Sequence, residues 1–321
     1  MASKVIDDVL NQVRAVFQPK LFTLIKEKKY NKQMFINDLV SGLIVGIVAI
    51  PLAIAFGIAS GVSPQQGIIT AIVGGFIISF LGGSDVQIGG PTGAFIVIIY
   101  GIVSEFGMNG LIVATLMAGI MLVMMGVFKL GTVIKFIPYP IVVGFTSGIA
   151  IVIFSSQVKD FFGLTMGEVP SDFIGKWGAY FSHFSSINIW ATLISVLTIL
   201  IIIMAPKINK RLPGSLLAIV ILTVLAFFGK KYFGIEVDTI GSKFPELAGG
   251  SPLPKPVSPK IDGEMIKTLI SPAFTIAILG AIESLLSAMV ADGTIGKKHN
   301  SNTELIAQGV ANIVTPMFGG I

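Results

Sequence analysis

GSDVQIGGPTGAFIVII, residues 83–99, sets three glycines, a proline and a threonine directly before an apolar run that is too short to cross a bilayer. In hydrocarbon, extended backbone survives only where protein or a water-filled cavity satisfies its amides, so this stretch must lie inside a bundle if it sits at membrane depth. Pro91 suits a first helical turn, where its missing N–H costs nothing. The N–H groups of Thr92, Gly93 and Ala94, with the positive end of the helix dipole, then point into the protein near the midplane, an arrangement that binds anions. Thr92 adds a hydroxyl donor, and the small Gly93 and Ala94 let a ligand approach the backbone. The competing reading is an ordinary surface loop before a short helix, because Gly-Pro clusters are common punctuation.

The surroundings favour a membrane. Hydrophobic residues make up 53% of the 321 and charged ones 12%, against roughly 25% charged in an average soluble domain. Apolar runs occur at 38–57, 67–82, 91–104, 110–128, 137–156, 187–205, 214–233, 271–291 and 304–318. The last carries Glu304, Gln308 and Asn312 and is the weakest candidate span. Gly42, Gly46, Gly74, Gly75, Gly119, Gly144, Gly148 and Gly280 lie inside runs, where they permit close helix contact. With no cysteine there is no disulfide, thiol nucleophile or Cys-based metal site. The net charge of +5 is spread over loops without a basic-aromatic module, so nucleic acid is not an expected partner.

Residues 1–37 hold Lys4, Arg14, Lys20, Lys26, Lys28, Lys29 and Lys32, with no apolar core or cleavage site of a signal peptide. Val5, Val9, Val13, Val16, Phe17, Leu21 and Ile25 recur at near-helical spacing, which fits an amphipathic segment on the inner membrane face; a solvated basic tail is the alternative. Lys129, Lys135, Lys207, Lys210, Arg211, Lys297 and Lys298 fall in short loops on the same side as this segment, which puts the amino terminus in the cytoplasm. A Pro-rich loop, PELAGGSPLPKPVSPKID at 245–262, cannot be regular structure and joins two bundles of spans.

Two residues sharpen the picture. Pro51 interrupts the first span within VAIPLAIAFGIASG, and such breaks occur where a helix lines a cavity, a packing kink being the rival. Glu283 stands near the centre of AILGAIESLLSAMVADG and is read as the one acid so placed in the chain. A charge at the bilayer centre costs roughly 2.5–3.5 kcal/mol on insertion scales, so an intramembrane carboxylate is a functional candidate. Gly280 and Ser287 share its helical face, and carboxylate plus hydroxyl could hold H+ or Na+. A protonated glutamate serving only as interhelical glue is the alternative. There is also an echo: Pro51 precedes the GGP of 89–91 much as Glu283 precedes the GGI of 319–321, a pattern expected of a repeat whose second half-helix starts just after residue 321.

SGLIVGIVAIPLAIAFGIASGVSPQQGI, GGPTGAF, IPYPIVVGFTSGIAI and KKHNSNTELIAQGVANIVTPMFGGI resemble the SulP family of anion transporters from about residue 34 onward. The resemblance implies an all-α polytopic membrane protein with a 7+7 inverted-repeat fold. It divides the chain into a cytoplasmic segment at 1–37, core spans at 38–130, gate spans at 131–235, an outer Pro-rich loop at 236–270, and core spans eight and nine at 271–321. Spans ten to fourteen and a cytoplasmic STAS domain would follow. It further implies a homodimer in the inner membrane that moves like an elevator and carries sulfate or bicarbonate by H+ or Na+ symport. By matching position the anion is held by Thr92, Gly93 and Ala94 with Pro51, Ala53 and Phe56. Glu283 and Ser287 take the coupling ion, with no other cofactor. The family's sodium-dependent bicarbonate transporter has Asp where this chain has Glu283, which makes protons at least as good a candidate as sodium. An uncoupled anion channel or exchanger, a dicarboxylate carrier and a nucleobase carrier of the same fold are the alternatives. No P-loop, zinc-spaced His pair or paired carboxylate site points to an enzyme. His183 and His299 are expected in solvated loops or caps.

Overall fold

The computed structural model describes residues 16–136, 139–167, 169, 170, 172–209, 213–245, 247 and 256–321, and among them every regular element is helical. The helices are α1 (Lys20–Lys26), α2 (Lys32–Ala59), α3 (Pro64–Leu81), α4 (Ile96–Val127), α5 (Tyr139–Phe162), α6 (Phe173–Ser182), α7 (Ile189–Ile208), α8 (Gly214–Phe233), α9 (Ile240–Lys243), α10 (Gly263–Ile295) and α11 (Ser301–Met317). The basic and apolar positions before residue 16, Lys210 and Arg211, and Pro252 and Pro254 of the Pro-rich loop lie outside the described residues.

Local chemistry sets the helix ends. Asn31 accepts the Met34 amide at 2.9 Å to start α2. Ser63 and Gln66 form a reciprocal capping box at α3, with Pro64 in its first turn. Asp262 accepts the Met265 amide to start α10, and Gly296 closes it in the left-handed conformation. The gap between the apolar runs at 91–104 and 110–128 is a kink rather than a loop. Gly107, at φ 67°, turns the chain within α4, so a short first piece precedes a long second one. Pro51 does not break α2: the helix runs through it, lacking only the N–H that would bond back to Ile47.

Among the described residues six stretches are long and apolar enough to cross a membrane: Lys32–Ala59, Pro64–Leu81, Gly93–Val127, Ile189–Ile208, Gly214–Phe233 and Gly263–Ile295. They differ in what surrounds them. In the most apolar window of Gly93–Val127, 61% of residues are buried inside the protein, against 6% in Ile189–Ile208. The first is therefore a central helix, whereas α7 presents Ile189, Leu193, Leu197, Leu200 and Ile203 outward.

The chain forms two compact units. The first comprises Met1–Ile36, Ala53–Thr146 and Pro252–Ile321. Its core sets Leu111, Ala114, Ala118 and Leu122 of α4 against Leu269, Ile276, Ala277, Ala281 and Leu285 of α10, with Leu305 of α11. At Gly119 and Gly309 the backbones of α4 and α11 touch: a Cβ on Gly119 would come within 2.7 Å of the Gly309 carbonyl oxygen, and one on Gly309 within 2.6 Å of the Gly119 oxygen. Not every glycine expected in this role has it. Gly42, Gly46, Gly144 and Gly148 are exposed and a Cβ on any of them would meet open space, so among the described residues no helix approaches there.

The second unit comprises Asn37–Leu52 and Ser147–Ser251. Its α6 packs on α5 through Val158, Leu164 and Tyr180. The Tyr180 hydroxyl donates to the Ser155 carbonyl at 2.8 Å, and the Trp177 indole donates to the Ser155 hydroxyl at 3.1 Å. Burial, with the nearby Asp160 charge, pushes the Tyr180 phenol up to about 12, so it stays a donor across the accessible pH range. Asn188 caps α7 and also donates to the Glu236 carbonyl after α8.

Candidate anion site

The candidate site is built on the first unit, from the segment that leads into α4. Gly82 ends α3, and the chain bends over 83–86 and turns back along that helix. Gly89 lies so close that a Cβ there would stand 2.0 Å from Ile78 Cδ1, and its carbonyl faces Gly75. Gly90 passes Ala71. The other Gly-Gly stretch arrives at the same helix: Gly320 abuts Thr70, whose hydroxyl accepts the Ile321 amide at 2.8 Å. The two halves of the echo read in the sequence thus share α3 as a common support.

The helix starts two residues later than Pro91 would set it. Thr92 is extended (φ −135°, ψ 149°), a 3-10 turn follows over Gly93–Phe95, and α4 proper begins at Ile96. The first intrahelical bonds are donated by the Phe95 amide to Thr92 O and by the Ile96 amide to Gly93 O. The amides of Gly93 and Ala94 lie ahead of them, at the positive end of the helix. Gly93 is buried, and Ala94 and Thr92 are half-buried.

The extended conformation at Thr92 has a visible consequence: its hydroxyl donates to Oε1 of Glu283 on α10. Two residues singled out separately in the sequence, 191 positions apart, meet in one hydrogen bond. Phe95 packs beside Gly280 on the same face of α10, where a Cβ would stand 3.6 Å from its ring. Ser287, one turn beyond Glu283, is exposed and is not brought to Thr92. Ala53 and Phe56 are buried in the same unit, Ala53 with its carbonyl against Gly67 of α3. Pro51 belongs to the second unit.

Glu283 is not the one acid set into the apolar interior. Glu304, treated in the sequence only as a mark against the last span, is fully buried in the first turn of α11. Its Oε2 accepts the Gly83 amide at 2.9 Å, while Oε1 accepts from Ser284 and Gln308, both at 3.4 Å. The signal was present, since Glu304, Gln308 and Asn312 recur every fourth residue and so line one helix face. His299 also departs from expectation. Its side chain is 5% exposed, held by Asp292 at 2.7 Å on Nδ1 and by Ser301 at 2.9 Å on Nε2, because the short α10–α11 turn folds it between the two helix ends. His183 is exposed at the end of α6, as expected.

A helix start with two amides ahead of its first bond, and a hydroxyl bound to a carboxylate within one of six apolar helices found among the described residues, mark a helical membrane protein. Residues 35–321 match the family described as the sulfate permease family, and the chain belongs to it. The chain is 45% identical to YvdB of Bacillus subtilis, a protein named provisionally as a sulfate transporter, over 92% of this chain and 54% of that one. It is 33% identical to the bicarbonate transporter BicA of Picosynechococcus, over 91% of this chain and 52% of that one. The chain therefore spans about half the length of these relatives. In structure it superposes on the transmembrane domain of a cyanobacterial BicA with a TM-score of 0.69 at 28% identity, covering 88% of this chain and 72% of that one. SLC26A9 shares the fold, with a TM-score of 0.70 at 19% identity over 99% of this chain and 52% of that one. The fold is the all-α, inverted-repeat membrane fold that the motifs imply.

Proposed function

We propose that the chain forms part of a secondary transporter, not an enzyme, that carries a small inorganic anion, sulfate or bicarbonate, held at the start of α4 by Thr92 and the amides of Gly93 and Ala94. The names of YvdB and BicA support those two substrates, and Ala53 and Phe56 of the same unit complete the proposed lining. Glu283 takes the coupling ion, H+ or Na+, with Ser287 as its second ligand where sodium is used. The protein works as a homodimer in the plasma membrane with its amino terminus in the cytoplasm. A core at 38–130 and 271–321 moves like an elevator against a gate at 131–235; the first compact unit overlaps that core over 53–130 and 271–321.

The observation that carries this reading is the Thr92–Glu283 hydrogen bond. A threonine hydroxyl has one proton to donate. While Glu283 is an uncompensated carboxylate, it takes that proton and also sets a negative charge beside the anion's place. Once a proton or cation neutralises Glu283, the hydroxyl is free to donate to the anion and the repulsion is gone. Coupling ion and anion thereby strengthen each other's binding, and the linkage is reciprocal. The test is uptake of labelled sulfate and bicarbonate by the full-length gene product in proteoliposomes under imposed pH and Na+ gradients. Glu283→Gln abolishes gradient-driven accumulation and leaves downhill exchange; concentrative uptake equal to that of the unaltered protein overturns the coupling role.

A further inference from the structure

Glu304 has no part in the coupling scheme, yet it is 0% exposed, and an unused carboxylate in that position calls for a reason. Each of its hydrogen-bond partners donates: the Gly83 amide, the Gln308 side-chain amide and the Ser284 hydroxyl. Gln308 also donates to Ser284 at 2.8 Å, which closes a small polar ring between α10 and α11. The position in the first turn of α11 adds the positive end of that helix. Such a site holds a carboxylate as an acceptor of fixed reach.

What it reaches is the beginning of the segment that ends at Thr92. Gly83 is gripped there from both sides, its amide by Glu304 and its carbonyl by the Asn300 amide at 2.9 Å, and Gly82 O accepts the Lys20 amide at 2.9 Å. The fit admits no side chain, since a Cβ on Gly83 would lie 2.2 Å from the Asn300 oxygen. Ser284 is the neighbour of Glu283 on α10. The segment is thus tied to the α10–α11 pair at both ends, by Glu304 at Gly83 and by Glu283 at Thr92, with Ser84–Pro91 between.

We infer that Glu304 is a positioning residue for the anion site: by accepting the Gly83 amide it fixes the segment that delivers Thr92 to Glu283. This rests on the reading of Thr92 and Glu283 as the site. It also gives the NSNTE stretch at 300–304 a task, because Asn300, which caps α11, and Glu304 hold opposite sides of the same glycine.

Two substitutions separate reach from charge. Glu304→Gln keeps length and an acceptor oxygen but loses the charge; Glu304→Asp keeps the charge but falls one methylene short of Gly83. Both are made in the full-length gene product, with Thr92→Val alongside, and read by the KM and kcat of labelled sulfate and bicarbonate uptake. Amide exchange over 83–92 is followed in parallel, which needs no substrate. Glu304→Asp raises KM about tenfold with kcat within about twofold and speeds exchange over 83–92, whereas Glu304→Gln restores both close to the unaltered values. The inference is overturned if Glu304→Asp leaves exchange and KM unchanged, or if Glu304→Gln is the more damaging of the two, since the charge would then matter and not the reach. If Thr92→Val also leaves KM unchanged while exchange still responds to Glu304→Asp, the failure lies with the anion-site reading and not with the tether.

Discussion

Thr92→Val is the substitution that probes the site most directly, because valine keeps the β-branched shape and removes only the hydroxyl. In the resting arrangement it deletes the hydrogen bond to Glu283. In the loaded one it deletes a donor to the anion. A hydrogen bond to a charged group is worth about 1.5–3 kcal/mol, so a central figure of about 2 kcal/mol corresponds to roughly 30-fold in affinity. With Glu283 neutralised, so that binding gives up no bond to a charged carboxylate, anion affinity should therefore fall about 30-fold in Thr92→Val and recover to within a few-fold in Thr92→Ser, which restores the hydroxyl. The coupling argument adds a sharper expectation. With no shared proton to contest, the stimulation of anion binding by the coupling ion should shrink to the charge effect alone. A double-mutant cycle with Glu283→Gln then gives a non-additive interaction of about 1 kcal/mol or more. The assay is equilibrium binding of labelled sulfate and bicarbonate to the purified full-length gene product across pH and Na+. Strict additivity, together with affinity unchanged in Thr92→Val, would refute the shared-proton scheme.

The packing makes two further predictions. Gly309→Ala drives a methyl against the Gly119 carbonyl and the Val123 amide, both immovable backbone, and should cost about 1–3 kcal/mol, read as a lower thermal midpoint in detergent; an unchanged midpoint would mean that α4 and α11 do not touch there. In the second unit, Tyr180→Phe strips the donor from a fully buried contact and should cost about 1–2 kcal/mol, whereas Lys243→Ala, which removes exposed ion pairs to Asp160 and Asp238, should cost under about 1 kcal/mol. The reverse order in the same melting assay would contradict the burial argument.

Several spans were legible because an apolar run is its own signal: α2 and α10 cover their runs and extend them by a few capped residues, at Asn31 and Asp262. The half-helix was legible for the same reason, as a run too short to span beside a Gly-Pro cluster. Its starting residue was not. Pro91 satisfies the local rule for a first turn, yet Thr92 is extended and bonded to Glu283 on a helix 191 positions away, and no local periodicity encodes that pairing. The same limit separates Gly119, which meets another backbone, from Gly148, which meets nothing, although both are glycines in apolar runs. Glu304 is a different kind of omission. Its four-residue spacing with Gln308 and Asn312 is visible, but a polar stripe argues equally against a span and for the inner face of a buried helix, and in the structure Glu304 lies on such a face.

The seam at Gly119 and Gly309 brings main chain against main chain, with the Val123 and Ile313 side chains packed on either side. A contact of that kind has no gradations: one element slips past the other by a full turn, about 5.4 Å, or stays where it is. α4 and α11 are in effect splined together. Any displacement of α4 at Gly119 must carry Gly309, and with it the helix that bears Glu304, by the same amount.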